Sequence, residues 1–169
     1  QITCFDIVYL QGKIIIHCYM IEIKEVISTA DRRAFVDFQF DLYKNHSLWV
    51  PPIKNDEVKQ LTAKSNPAFD FCEAKFWTAW ENKKCVGRIG AIINHDYNKK
   101  TGIDMGRFTR FEVVDDVKVT QALFNVAEKW LAEHGVVAIH GPLGFTNLDN
   151  QGLLIEGFEY LPSIASVMH

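Results

Sequence analysis

Glu112 is the first residue to weigh as a proton carrier. It sits in "RFTRFEVVDD", and a carboxylate acts as general base once it comes within hydrogen-bond reach of the group it deprotonates. Its neighbours Phe108 and Arg110 leave open which face of the strand it takes, and Arg110 on the same face would simply pair with it. Glu156 in "IEGF" reads as an acid that ties down a loop. His95, Asp96 and His140 have no triad partner at a recognisable spacing and read as structural. Two backbone features accompany these side chains. The first is the turn Asp115-Asp116-Val117-Lys118, which enters a helix. Unpaired N–H groups and the positive end of a helix dipole make an anion site, and glycine permits close approach. This turn has two acids and no glycine. Either Asp115 or Asp116 caps the helix and nothing more, or the backbone still holds a phosphate with the acids turned outward. Anion binding here is expected to be weak or absent. The second feature is the loop holding Gly141, Pro142, Gly144 and Phe145, at the carboxyl end of a strand, where open α/β sheets keep their ligands. It reads equally as a packed loop. Thr146 with Asp149 can cap a short helix after it.

The elements that must position these residues alternate along the chain. "MIEIKEVI" is a strand with Ile21, Ile23 and Val26 on one face. Ser28 and Asp31 give a helix-start signal, and Phe35, Phe38 and Leu42 follow at helical spacing. Pro51 and Pro52 hold "LWVPP" extended. Asn55 caps a second short helix, with Asp56 and Glu57 in its first turn as the dipole prefers, and Asn66-Pro67 ends it. "AKFWTAWENKKCVGRIGAIIN" is a hairpin: Phe76, Thr78 and Trp80 share a face, and Glu81–Lys84 make the turn. Residues 96–101 read as a polar loop and "DMGRFTRFEVV" as a third strand. Then Val119, Ala122, Leu123, Val126, Ala127, Trp130 and Leu131 draw one apolar helical stripe, closed by Gly135. "VVAIHGPL" is a buried strand. The order β-α-α-β-β-β-α-β implies an α/β fold with a mixed sheet and helices on both faces. The strands at 105–114 and 136–140 are expected to be parallel neighbours, joined by a right-handed crossover.

The bulk composition excludes several classes. The 169 residues are most simply one domain, with 48% hydrophobic and 23% charged residues. A net charge of −3 and the lack of a basic stripe offer nothing for nucleic acid. Trp49, Trp77, Trp80 and Trp130 read as core or groove wall. No segment approaches the roughly 20 apolar residues that span a bilayer. Cys4, Cys18, Cys72 and Cys85 show neither CxxC nor metal spacing and read as reduced thiols of a cytoplasmic protein. Residues 1–19 read as an upstream extension or an extra strand, and residues 20–169 as the domain proper. "SIASVMH" ends the chain without a closing element, which reads as a C-terminally incomplete domain.

The element order resembles the GNAT-type N-acetyltransferases. "HGPLGFTNLDNQGLLIEGFEYLP" resembles a G-P-x-x-F-[ST] … G-x-L-[IV]-E-G-F segment of a longer family of bacterial GNAT-like proteins, and "KNHSLWVPP" and "CVGRIGAIIN" resemble that family too. The match runs from about Met20 to Pro162. The resemblance implies transfer of an acyl group from acetyl-CoA or another acyl-CoA to an amine, with no metal and no covalent intermediate. It places Val113, Val114, Asp116, Val117, Lys118 and Val119 by position at the pyrophosphate, although the family's glycines are missing. It puts Glu112 by the cleft, and Asn147 where an asparagine follows the next strand. No tyrosine stands at the usual general-acid position. The other reading is a non-catalytic GNAT-like module that packs against a missing C-terminal domain of the same chain.

Overall fold

The structure, a computed structural model, describes the backbone of residues 2–10 and 13–161, and the side chains from Met20 to Leu161. The terminal "SIASVMH" lies outside the described residues. Six strands form one sheet in sequence order: β1 (Ile2–Leu10), β2 (Lys13–Glu25), β3 (Cys72–Glu81), β4 (Lys84–Asn94), β5 (Met105–Val113) and β6 (Ala138–His140). All neighbours are antiparallel except β5 and β6, which run parallel. Residues 2–10 thus pair along β2 as an edge strand.

Helices cover both faces. The apolar stripe becomes α4 (Val117–Glu133), with Leu123 and Leu131 at 0% exposure and Trp130 packed edge-on to Trp77. Each large apolar side chain buried this way stabilises the fold by roughly 1.5–3 kcal/mol. The opposite face carries α1 (Thr29–Tyr43) and α2 (Lys54–Gln60), with Phe35, Val36, Phe76 and Ile92 in the second core. The strand period of two sends Trp77 to the α4 side and Phe76 to the α1 side. Gly87 lets α4 sit close, since a Cβ there would lie 2.8 Å from Leu123.

Local signals place most element ends. Ser28 and Asp31 form a complete capping box at the start of α1. The β3–β4 turn is Asn82-Lys83, both with positive φ (49° and 65°), as a two-residue hairpin of the primed type requires. Replacing Lys83 with glycine gives the favoured Asn-Gly pair there. It is expected to stabilise the protein by about 1 kcal/mol, read as a higher urea midpoint.

Five expectations need correction. The stretch read as a buried strand, "VVAIHGPL", gives only the short β6, exposed at all three residues with Val137 exposed before it, because β6 lies at the edge of the sheet. The polar stretch after β4 is a helix, α3 (His95–Thr101): Asn94 accepts from the Tyr97 N–H at 2.8 Å, and Gly102 ends it in the left-handed region. It lacks an apolar stripe, so periodicity missed it. The second helix starts at Lys54 with Ile53 as a cap residue that makes no side-chain bond, and Asn55 lies inside it. Asn66 caps a 3-10 turn, Pro67–Asp70. Val26 lies past the end of β2 and packs on the α1-side core, away from Ile21 and Ile23.

Candidate active site and ligand loop

A bulge in β5 orients the acid singled out above. Thr109 pairs with Gly90 and Glu112 with Arg88, so Arg110 and Phe111 together stand opposite Ile89. Arg110 takes φ 48° to fit the extra residue. The bulge breaks the alternation: Phe108 and Phe111, three apart, both stack on Phe124 of α4. Glu112 therefore turns to the α1 side. There its carboxylate accepts from Nε of Arg88, in a pair with side-chain exposures of 7% and 1%. Arg88 also donates through Nη1 to the Phe35 carbonyl at 3.0 Å and lies over the Phe35 ring. Arg110 does not pair with Glu112; it donates to Glu57 of α2 at 3.1 Å. The Tyr43 hydroxyl is held above its usual pKa, first by burial and then by the negative charge of Glu112. Arg88 and Tyr43 were not singled out as site residues, because only the strand register and the α1 packing bring them to Glu112.

At the start of α4, Asp116 is the cap. Its carboxylate accepts from the Lys118 N–H at 2.7 Å, while Asp115 is exposed. Val119 is buried, Val113 and Val114 pack against the same core, and Val117 is exposed. The N–H that a pyrophosphate would claim is thus held by the protein's own carboxylate, and no glycine opens the backbone. The cap and the two acids weaken this helix end as an anion site.

β5 and β6 pair over Met105–Arg107 and Ala138–His140, and the Leu143 N–H reaches the Phe108 carbonyl at 2.9 Å. Beyond Phe108 the ladder between them stops among the described residues. Gly141 crosses β5 so closely that a Cβ would lie 2.5 Å from the Phe108 carbonyl oxygen, and the bond into Pro142 is cis. The loop then dives into the α1-side core. Phe145 is 1% exposed, between Phe69 and Phe76. Arg107 donates to the carbonyls of Gly144 (2.9 Å) and Phe145 (3.0 Å). Thr146 and Asp149 bond each other within a turn, and no helix follows them. Asn147 is exposed on the rim of a cavity of about 440 Å³ beside this loop. The cavity brings Phe145 and Asn147 together; Glu112 and Asp116 are not among its lining residues.

Among the described residues no group of three metal-ligating side chains assembles, and no helix is long and apolar enough to cross a membrane. Cys72 and Cys85 are free thiols, each pushed up to about 11 chiefly by burial. At pH 8 both stay protonated in the folded state. Iodoacetamide is expected to label them slowly in native protein and far faster after unfolding, as read by mass spectrometry.

These features define the class: the chain has the fold of the GNAT-type acyl-CoA N-acyltransferases. Among solved structures it is similar to a predicted acetyltransferase of Clostridium acetobutylicum with acetyl-CoA, at 14% identity and a TM-score of 0.53, covering 72% of this chain and 79% of that one. In sequence it is 36% identical to Protein YghO of Escherichia coli over 143 residues, 83% of this chain and 36% of that protein. It is 31% identical over 140 residues to the bacterial ceramide synthase of Caulobacter vibrioides, covering 82% of this chain and 36% of that protein. The chain thus spans 36% of the length of each of these two relatives. No family model matches it.

Proposed function

We propose that the chain provides an N-acyltransferase scaffold, serving transfer of an acyl group from an acyl-CoA to an amine. The observation that carries this reading is the parting of β5 and β6 beyond Phe108, next to a bulge that aims Glu112 at the α1 side. Past Phe108 that edge of β5 has no paired strand among the described residues, and an unpaired strand edge accepts an extended ligand arm through its main-chain groups. Amide formation is also in keeping with the relative named as a ceramide synthase, ceramide being an amide. Glu112 is the proposed base, reached through release of Arg88, and Asn147 a proposed polar contact on the loop.

A second reading rests on the capped turn. With Asp116 on the Lys118 N–H, the chain is a non-catalytic GNAT-like module whose partner is a further domain of the same protein. Calorimetry with acetyl-CoA and CoA separates the two. Saturable micromolar binding supports the enzyme; no heat up to millimolar ligand supports the module.

The turn has its own test. The double change Asp116→Gly with Lys118→Gly is expected to raise CoA affinity while the helix loses a cap worth about 1 kcal/mol. Asp116→Asn, which caps as well with less charge, is expected to fall between. Affinity that is already tight and unmoved in all three proteins would mean that the native turn binds phosphate as it is.

A further inference from the structure

The cavity beside the Gly141–Phe145 loop has an electrostatic peculiarity that acyl transfer does not use. Arg107 is 9% exposed and lines it. Its Nη1 serves the Gly144 and Phe145 carbonyls, and its guanidinium lies over the Tyr97 ring, 5.2 Å from the centroid. Nε and Nη2 have no partner among the described residues. Carbonyls satisfy hydrogens but do not neutralise a charge, so the guanidinium keeps the capacity to take a charge-assisted bond from a further anion. No Asp or Glu lines the cavity; Asp96 and Asp149 stand nearby, since both act together with Arg107 on the Cys72 thiol, but neither forms an ion pair with Arg107 among the described residues. Asp149 is instead engaged by the Thr146 N–H at 2.8 Å.

We propose that this cavity binds a small amphiphilic anion, its carboxylate or phosphate head on the open edge of the Arg107 guanidinium. The fork of a guanidinium matches either head group with two parallel bonds. His140, also on the wall, offers a second donor. Phe71, Leu143 and Phe145 give the same cavity an apolar side for a short chain or ring. At about 440 Å³ it falls within the ordinary size range of ligand sites. Arg107 and His140 pair near the beginning of β5, whereas the Asp116 turn follows its end. The site is therefore separate from the α4 turn and does not depend on CoA binding there.

The test is calorimetry and ligand-observed NMR on the full chain with four probes: octanoate, octyl phosphate, inorganic phosphate and octanol. Octanoate or octyl phosphate is expected to bind saturably and more tightly than inorganic phosphate, with octanol weakest. A preference for octanoate identifies the carboxylate, and a preference for octyl phosphate the phosphate. Arg107→Gln is expected to weaken the bound probe by about 10- to 100-fold, as loss of a charged hydrogen-bond partner does, and Arg107→Lys by less. Arg107→Gln could also undock the loop, so Leu143→Glu serves as a second variant. It keeps the Arg107 bonds to the loop while placing a carboxylate in the wall, and is expected to abolish anion binding with the melting temperature near that of wild type. The proposal is overturned if no anion binds the wild type up to millimolar concentration, if octanol binds as well as octanoate, or if folded Leu143→Glu protein binds the anions unchanged.

Discussion

Arg88→Ala is expected to destabilise the protein by about 3–5 kcal/mol, the usual cost of removing one partner of a buried ion pair. Arg88 is 1% exposed, under α1, and its guanidinium ties β4 to two other elements: to Glu112 on β5, and to both the carbonyl and the ring of Phe35 on α1. Truncation leaves the Glu112 carboxylate buried and uncompensated. The cost therefore comes from the stranded charge rather than from the net worth of the pair. That distinction can be measured. The double variant Arg88→Met with Glu112→Leu removes both charges and is expected to recover most of the loss, because apolar replacements of similar volume are often neutral or better. Urea unfolding of the wild type, Arg88→Ala and the double variant closes the comparison. A single-variant loss below about 1 kcal/mol, the range of exposed pairs, would mean that the pair is solvated and that Glu112 faces outward.

Phe145→Ala is expected to cost a similar amount, about 3–5 kcal/mol, through lost burial and the cavity left behind. Phe145 anchors the loop after β6 to the α1-side core, between Phe69 and Phe76, and its carbonyl is one of the two that Arg107 holds. Undocking it releases the wall of the cavity together with the loop. Limited proteolysis should then cut between residues 141 and 149 in the variant and spare the wild type. Phe145→Leu, closer in volume, is expected to cost no more than about 1.5 kcal/mol and to keep the loop protected. If Phe145→Ala unfolds at the wild-type midpoint, the loop is held by its backbone bonds alone.

The sequence was most legible where one element's burial repeats along its length. The stripe from Val119 to Leu131 defined α4, and it required the sheet neighbours on either side to run parallel, as β5 and β6 do. Ser28, the Asn82-Lys83 turn and the alternation of Phe76 with Trp77 are likewise local properties, written in a few residues each. The polar helix α3 escaped because capping by Asn94 and the glycine at 102, rather than a stripe, hold it. Asp116 could be named as one of two caps, but only backbone geometry chose it over Asp115.

By itself, then, the sequence determined the α/β order, the faces of the helices and the absence of glycine in the α4 turn, since propensity, capping and periodicity act over a few neighbouring residues. Tertiary structure decided the partners. A single bulge at Arg110 reversed the alternation of β5 and sent Glu112 to Arg88 instead of Arg110. The crossing of Gly141 over Phe108 brought residues nearly forty apart together around Arg107. Such pairings depend on strand register and on the path of a returning loop. Each is set by the balance of the whole packed sheet, and no local window of residues encodes it.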